Sequence, residues 1–406
     1  MDAANDLNSV KALITILRIL FAATAVLLLV PVAILFTEVL AGVTARRAIV
    51  SPRRRRERSP VAVLMPAHDE ALVIAGTLDS LRAELHGSDR VLVVADNCSD
   101  DTAAVAARHG AEVIERIDSA RRGKGYAIDF GVRHFAAHPP EVVLVIDADC
   151  RIEAGSIDLL VESCVLSGRP VQALYLMDTP PAAGIMTRIA AFAWVVKNVV
   201  RATGMHRLRL PCQLMGTGMA FPWRCISSVE LATGDIVEDV RLGIALTRAA
   251  MPPLFCPAAR VTSIFPTSSE GFRSQRTRWE HGHLNIALTA PALLVEAIAA
   301  RNMALAALAL DLCVPPLALL LLVVAAFWAV SVVFYVLTRA ALPLGLTTAA
   351  VVLLALSVLL AWLRYGRQVI SLRELALAGV YAVWKIPLYA RFLYSRQSRW
   401  VRSRRD

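Results

Sequence analysis

A mainly parallel α/β sheet, held between apolar segments long enough to cross a membrane, is the fold class this sequence predicts. Three observations predict it. Short aliphatic runs at 61–65, 91–95, 112–114 and 142–146 alternate with helical stretches such as 69–85 and 100–109, and strands alternating with helices argue for a parallel sheet. Polar clusters follow the first, second and fourth runs, where open sheets of this kind bind ligands. Residues 19–37, 312–338 and 340–363 carry no charge, so each can cross a hydrocarbon core of about 30 Å as a helix of roughly 20 residues.

With 57% hydrophobic residues among 406, the chain is more apolar than a soluble domain of its size. The first apolar segment runs into arginines without a small-residue cleavage site, and reads as a retained anchor over 1–45 and not a cleaved leader. A soluble domain over 58–285 and a membrane region over 286–406 follow. Within that region, 284–300 is broken by Pro291 and Glu296, and 375–384 is an uncharged run of ten. Neither is a span, and both read as helices lying in the interface.

Arg46, Arg47, Arg53, Arg54, Arg55, Arg56 and Arg58 follow the first span, Arg364 and Arg367 the third, and Arg391, Arg396, Arg399, Arg402, Arg404 and Arg405 crowd the tail. Basic residues stay on the cytoplasmic side, so the N-terminus is expected outside and everything after residue 45 inside. The net charge of +10, from 43 basic and 33 acidic residues, sits beside these segments, where anionic lipid attracts it. No helix-turn-helix, zinc or RNA-binding signature accompanies it, so nucleic acid is not an expected partner. The seven cysteines lack CxxC spacing, and an odd count in a cytoplasmic domain predicts free thiols.

The polar clusters carry the chemistry. In VIDADCRI (145–152), Asp147 and Asp149 stand one residue apart after an apolar run. On an extended chain their side chains point the same way, and two like charges on one face need a cation between them. Mg²⁺ takes one or two protein carboxylates and its other ligands from phosphate and water, although a surface turn also explains the pair. PAHDE (66–70) and SDDT (99–102) equally fit helix N-termini, with Asp69 as a cap, and RRGKG (121–125) a solvated turn. Four such clusters at one sheet edge point together to a ligand site. Neither GxGxxG nor GxxxxGKS occurs, which argues against dinucleotide and P-loop binding. His281 and His283, at i and i+2 of a helix, diverge and do not read as a metal pair.

Taken in order, PAHDE, ADNCSDDT, RGKGYA, DADC, GTG, VED and QRTRW resemble the family 2 glycosyltransferases. These are inverting GT-A enzymes that include cellulose, chitin, hyaluronan and poly-N-acetylglucosamine synthases and ceramide glucosyltransferase. The resemblance covers roughly residues 60–285 and implies a Rossmann-like GT-A domain, a nucleotide-sugar donor of the UDP type, and Mg²⁺ or Mn²⁺ as cofactor. It implies a polysaccharide or lipid-linked acceptor at the cytoplasmic face of a bacterial inner membrane, in exopolysaccharide synthesis. Glycosylation of a membrane lipid such as a hopanoid, sphingolipid or polyprenyl carrier is the alternative. A scaffold or transporter is a third reading, which three spans without paired repeats support poorly. Membrane lipids are the other expected partners, and nothing in the sequence sets the oligomeric state.

The same resemblance distributes roles. Pro66, Asp69, Glu70, Asp96 and Lys124 fall to the nucleotide-sugar with Asp147 and Asp149, a lysine suiting a diphosphate as a point charge. Asp149, with Asp147, falls to the metal. Inverting transfer needs one base to take the acceptor proton, and Asp239, or Glu238 beside it, matches that position. Val237 stands where the family more often has Thr, which removes a hydroxyl and leaves the base. Gln275, Arg278 and Trp279 fall to diphosphate and acceptor, a guanidinium binding phosphate in bidentate fashion. Arg273 and Arg276 are further diphosphate candidates, and Gly216, Thr217 and Gly218 would let backbone approach the acceptor.

A cysteine introduced within residues 1–10 should therefore react with an impermeant thiol reagent applied outside the cell, and one within 400–406 should not. Labelling in the opposite sense would reverse the orientation.

Overall fold

The computed structural model describes residues 2–45, 58–181 and 183–396. Of the arginines that set the expected orientation, those at 46, 47, 53–56, 399, 402, 404 and 405 lie outside these residues.

Helix α1 (Asp2–Val43) leads into the sheet. Strand β1 (Val61–Ala67), helix α2 (Ile74–Arg82), β2 (Arg90–Asp96), α3 (Thr102–Arg108), β3 (Glu112–Arg116), α4 (Lys124–Phe135) and β4 (Val142–Val145) alternate as the aliphatic runs require. Parallel strands buried on both faces are apolar at every position. Val61, Val63 and Met65 pack against Ile74 and Leu78 of α2, while Ala62 and Leu64 pack against Ala127, Ile128 and Phe135 of α4 on the opposite face.

The second half departs from simple alternation. It runs β5 (Arg151–Ile152), α5 (Ser156–Ser167), β6 (Val171–Asp178), α6 (Ile185–Val195), a π-helical segment (Val196–Arg201), α7 (Ala202–Arg207), β7 (Met219–Pro222), α8 (Trp223–Ile226), α9 (Glu238–Arg248) and β8 (Leu254–Ile264). The strand order is β3-β2-β1-β4-β7-β6-β8-β5. Strand β7 lies antiparallel between β4 and β6, and β5 antiparallel to β8.

Helices α10 (Ser269–Ala287), α11 (Ala290–Ala299) and α12 (Met303–Leu312) connect the sheet domain to α13 (Leu317–Thr338) and α14 (Ala341–Ala361). Three helices are long and apolar enough to cross a membrane, over Lys11–Val43, Leu317–Thr338 and Ala341–Gly366; the pair α10–α11, bent by 41°, qualifies only as a broken span or a re-entrant loop. The stretch 375–384 falls on the short helices α15 (Leu372–Ala376) and α16 (Ala378–Trp384), and α17 (Ile386–Tyr394) follows.

Anchor and sheet domain meet at a buried charge cluster. Arg201 Nε donates to Glu38 Oε2 of α1 at 2.5 Å, and its Nη2 donates to the carbonyl of Asp311 in α12 at 2.9 Å and pairs with that residue's carboxylate. Gln213 Nε2 donates to Asp311 Oδ2 at 2.6 Å. Two glycines allow the approach. A Cβ on Gly204 would lie 2.0 Å from the Glu38 carbonyl oxygen, and one on Gly42 would lie 2.2 Å from that of Val200. Small residues bring membrane helices together in this way.

Gly204→Ala and Gly42→Ala should each destabilise the detergent-purified protein by roughly 1–3 kcal/mol, the usual cost of overpacking. Gly184→Ala, where a Cβ meets nothing within 4 Å, should not. Equal melting temperatures for all three would show that α1 does not pack on α7 in this way.

Candidate active site

The polar clusters collect where strands β1, β2 and β4 end, as the topology of an open sheet dictates. Pro66 lies within β1, paired with Val94 of β2. Asp69 adopts φ 53° and accepts from the Ser99 amide at 2.6 Å, so it stitches the first loop to the second and does not cap α2, which begins at Ile74. The Glu70 amide donates to Thr102 Oγ1 at 2.8 Å. Asp96 is buried, and its Oδ1 accepts from Arg116 Nη1 at 2.6 Å and Asn97 Nδ2 at 2.9 Å. Burial raises its pKa, against the pull of Arg116.

Asp147 and Asp149 sit on a turn after β4, not on the strand itself, so alternation is not what aligns them. The turn does so, with help from other elements. The Asp147 amide donates to Thr217 Oγ1 at 3.1 Å, and Ser263 Oγ of β8 donates to Asp149 Oδ2 at 2.9 Å. One ligand atom each from Asp147, Asp149 and Cys150 lie within 4.8 Å of one another. Burial and the two acids raise the Cys150 thiol, and a hard cation prefers oxygen, so the carboxylates are the donors that fit Mg²⁺ or Mn²⁺.

Lys124 occupies the middle of the acids. Its Nζ donates to the Gly216 carbonyl at 2.7 Å, pairs with Asp147, and lies 4.0 Å from Glu238 Oε1. Burial lowers the Lys124 pKa, but Asp147 and Glu238 outweigh it and hold the ammonium charged. Glu238 and Asp239 open α9. Burial and then Asp239 push Glu238 up to about 8, and burial raises Asp239 as well.

Of GTG, Gly216 alone lines the cavity. Its φ is +89°, and a Cβ there would stand 3.4 Å from Asp239 Oδ2 and 3.5 Å from Lys124 Nζ. Thr217 is fully buried, holding the Asp147 turn. Gly218 is packed against β6, where a Cβ would lie 2.8 Å from that of Ala173.

QRTRW lies on α10. Gln275 is buried, and its Oε1 has no donor among the described residues. Trp279 packs on Trp194 with ring centroids 4.8 Å apart. Arg276 sits between the Phe272 and Tyr381 rings, 3.6 Å from Glu280, and Arg273 lies over Trp384. Arg278 lines the cavity. His281 and His283 turn to different carbonyls, those of Leu388 at 3.1 Å and Val314 at 3.0 Å.

Lys124, Asp147, Asp149, Gly216, Glu238, Asp239, Gln275, Arg278 and Trp279 all line one cavity of about 710 Å³; Pro66, Asp69, Glu70, Asp96, Thr217 and Gly218 are not part of its wall. Sequence reasoning missed Lys197. It projects from the π-helical segment, and its side chain is exposed where it lines the cavity. Desolvation by the surrounding protein keeps its pKa below the usual range, and its charge lowers that of Asp239. A π-helical turn often marks a functional position, but hydropathy alone does not reveal it.

This chain belongs to the glycosyltransferase-like family 2, whose profile matches residues 58–282. An uncharacterised glycosyltransferase of Mycobacterium tuberculosis is 42% identical over 101 residues, covering 25% of this chain and 42% of the relative. The probable glycosyltransferase YdaM of Bacillus subtilis is 26% identical over 257 residues, covering 57% of each. The matched part thus spans about half the length of these curated relatives. Among solved structures, the mannosyltransferase PcManGT from Pyrobaculum calidifontis, in complex with GDP-mannose and Mn²⁺, is 15% identical with a TM-score of 0.51, over 93% of this chain and 100% of that one. That likeness establishes the fold as GT-A.

Because the Lys197 charge lowers the Asp239 pKa, Lys197→Met should raise it further. A carboxylate that must be ionised to act is lost as pH falls through its pKa. The acid side of the pH–rate profile should therefore move to higher pH in the variant, and an unmoved profile would separate Lys197 from the acid pair.

Proposed function

We propose that this chain moves a sugar from a nucleotide-sugar, of the UDP type, to an acceptor hydroxyl at the cytoplasmic face of a bacterial inner membrane, in one displacement that inverts the anomeric centre. One observation carries the reading. Asp147 and Asp149 from the turn after β4 and Glu238 and Asp239 from α9 face a single cavity across Lys124. Donor-side and acceptor-side acids so arranged are what a single displacement requires. The family membership supports the same class of reaction.

In the proposed mechanism, Asp69, Glu70 and Asp96 accept from the nucleoside at the outer loops. Asp149, steadied by Ser263, and Asp147 hold Mg²⁺ or Mn²⁺, which when bound offsets the charge of the diphosphate. Lys124 keeps the Asp147 turn and the Gly216 carbonyl together, next to the leaving group. Arg278 contacts the diphosphate from α10, and Trp279 offers an indole face to the acceptor. Asp239 takes the acceptor proton. The raised pKa values of the acid pair bring the base nearer to neutrality, where proton transfer is favourable without losing the ionised form. The acceptor readings are the growing polysaccharide and the lipid, and the cavity at the membrane surface bears on both.

Asp239→Asn should leave UDP affinity nearly intact, since it keeps the side chain's size and removes only the basic oxygen, while transfer falls by about 10²-fold or more. Asp149→Ala should abolish transfer, and excess EDTA should silence the wild type. Arg278→Ala should weaken both binding and rate, as its partner is present in ground and transition states. Calorimetry with UDP alongside initial rates checks all three, and an Asp239→Asn enzyme retaining more than about a tenth of the activity would move the base to Glu238.

A further inference from the structure

The cavity that holds the acid pair continues into the membrane region. Beyond Asp239 and Lys197 it passes Trp279 and runs between α13 and α14, where Leu321, Val324, Leu354 and Val358 form its wall. Every residue that α13 and α14 contribute to this wall is Leu, Val or Ala, and both helices are long and apolar enough to span. A chain of sugars threaded along such a wall would lose its hydrogen bonds to water without replacement, at a cost for each buried hydroxyl. A hydrocarbon chain loses nothing there.

The polar end of the same cavity narrows the head group. Asn198 Nδ2 and Gln275 Oε1 are an amide donor and an amide acceptor, both on buried side chains that line the cavity, and neither has a partner among the described residues. They suit a neutral hydroxyl. A phosphate head is already ionised near neutral pH, so it needs no base and would face Glu238 and Asp239. The cations deeper in the cavity are engaged elsewhere: Arg201 with Glu38 and Asp311, Arg276 and Lys385 with Glu280. Lys197, which also lines the cavity, stands near Asp239 and Asp311.

We propose that the acceptor is a neutral lipid alcohol, seated with its hydrocarbon between α13 and α14 and its hydroxyl between Asp239, Asn198 and Gln275. This rests on the reading of the site as a glycosyltransferase with Asp239 as base. In the transfer, the hydroxyl oxygen bonds to the anomeric carbon as the bond to the diphosphate breaks, and the hydroxyl proton goes to Asp239.

The test uses the full chain in phosphatidylcholine vesicles with a panel of labelled UDP-sugars and Mn²⁺. Release of free sugar, which is transfer to water, reports the donor half on its own. Farnesol and farnesyl phosphate, at equal mole fraction, then share a tail and differ in head; straight-chain alcohols from ethanol to hexadecanol share a head and differ in tail. Farnesol should be glycosylated at least tenfold faster than farnesyl phosphate, and product per free sugar released should rise with chain length. Leu354→Trp and Leu321→Trp, which fill the apolar arm, should cut the long-chain to ethanol product ratio at least tenfold. Preference for farnesyl phosphate, indifference to chain length in the wild type, or a water-soluble polymer as product would overturn the lipid alcohol while leaving the transferase standing. Failure to consume any donor would remove the transferase reading and the acceptor with it. The chain-length series on the wild type stands even where a tryptophan variant fails to fold.

Discussion

Arg201 cannot be buried without its partners, and the cluster they form joins three distant parts of the chain. Glu38 belongs to α1, Asp311 to α12, and Arg201 to the π-helical segment that follows α6. Leaving any one of these charges buried and unpaired costs about 3–5 kcal/mol, so the sheet domain, the anchor and the C-terminal helices are bound to one mutual placement. Gly42 and Gly204 serve the same end by removing the side chains that would hold α1 away. The cavity inherits its walls from this arrangement, because Leu35 of α1, Arg201 and Asp311 all border it.

A second electrostatic constraint acts a short way off. Asp147, Asp149, Glu238 and Asp239 share one cavity with Lys124 and Lys197, so the acids outnumber the adjacent lysines. Burial intensifies the imbalance, which is why Glu238 and Asp239 are raised together. In the proposed mechanism Asp147 and Asp149 would hold a divalent cation, which would offset this excess of negative charge.

How far this was legible beforehand follows from where the information lies. Strands β1, β2 and β4 could be read because both faces are buried, which makes every residue apolar over a short run, whereas β3, at the sheet edge, offers only Val113 and Ile114 between charged residues. The spans could be read because nothing but length and apolarity is needed. The acids were found by type and order, but not by conformation: Asp147 and Asp149 lie on a turn, and Asp69 ties two loops together. Strand β8 was hidden by Pro257 within its run and by a register shift against Ala173 and Leu174 of β6. The pairing of Arg201 with Glu38 and Asp311 joins positions far apart in the chain and has no local pattern. Lys197 sits in a mainly apolar stretch from Ile185 onward, whose hydropathy marks neither the π-helical turn nor the cavity it faces.

Helix α10 lies where these constraints meet. Its Trp279 packs on Trp194 of α6, and Trp194 in turn donates from Nε1 to the Tyr175 carbonyl of β6 at 3.1 Å. On its other side Arg276 and Glu280 reach Tyr381 and Lys385 of the short C-terminal helices. Indole and guanidinium groups are at home where water gives way to hydrocarbon, and here they line the join between the charged and the apolar parts of a single cavity. In the proposed reaction, a charged donor and a largely hydrocarbon acceptor have no solvent in common. Asp239 at that join would let each remain in its own medium while the reacting atoms meet.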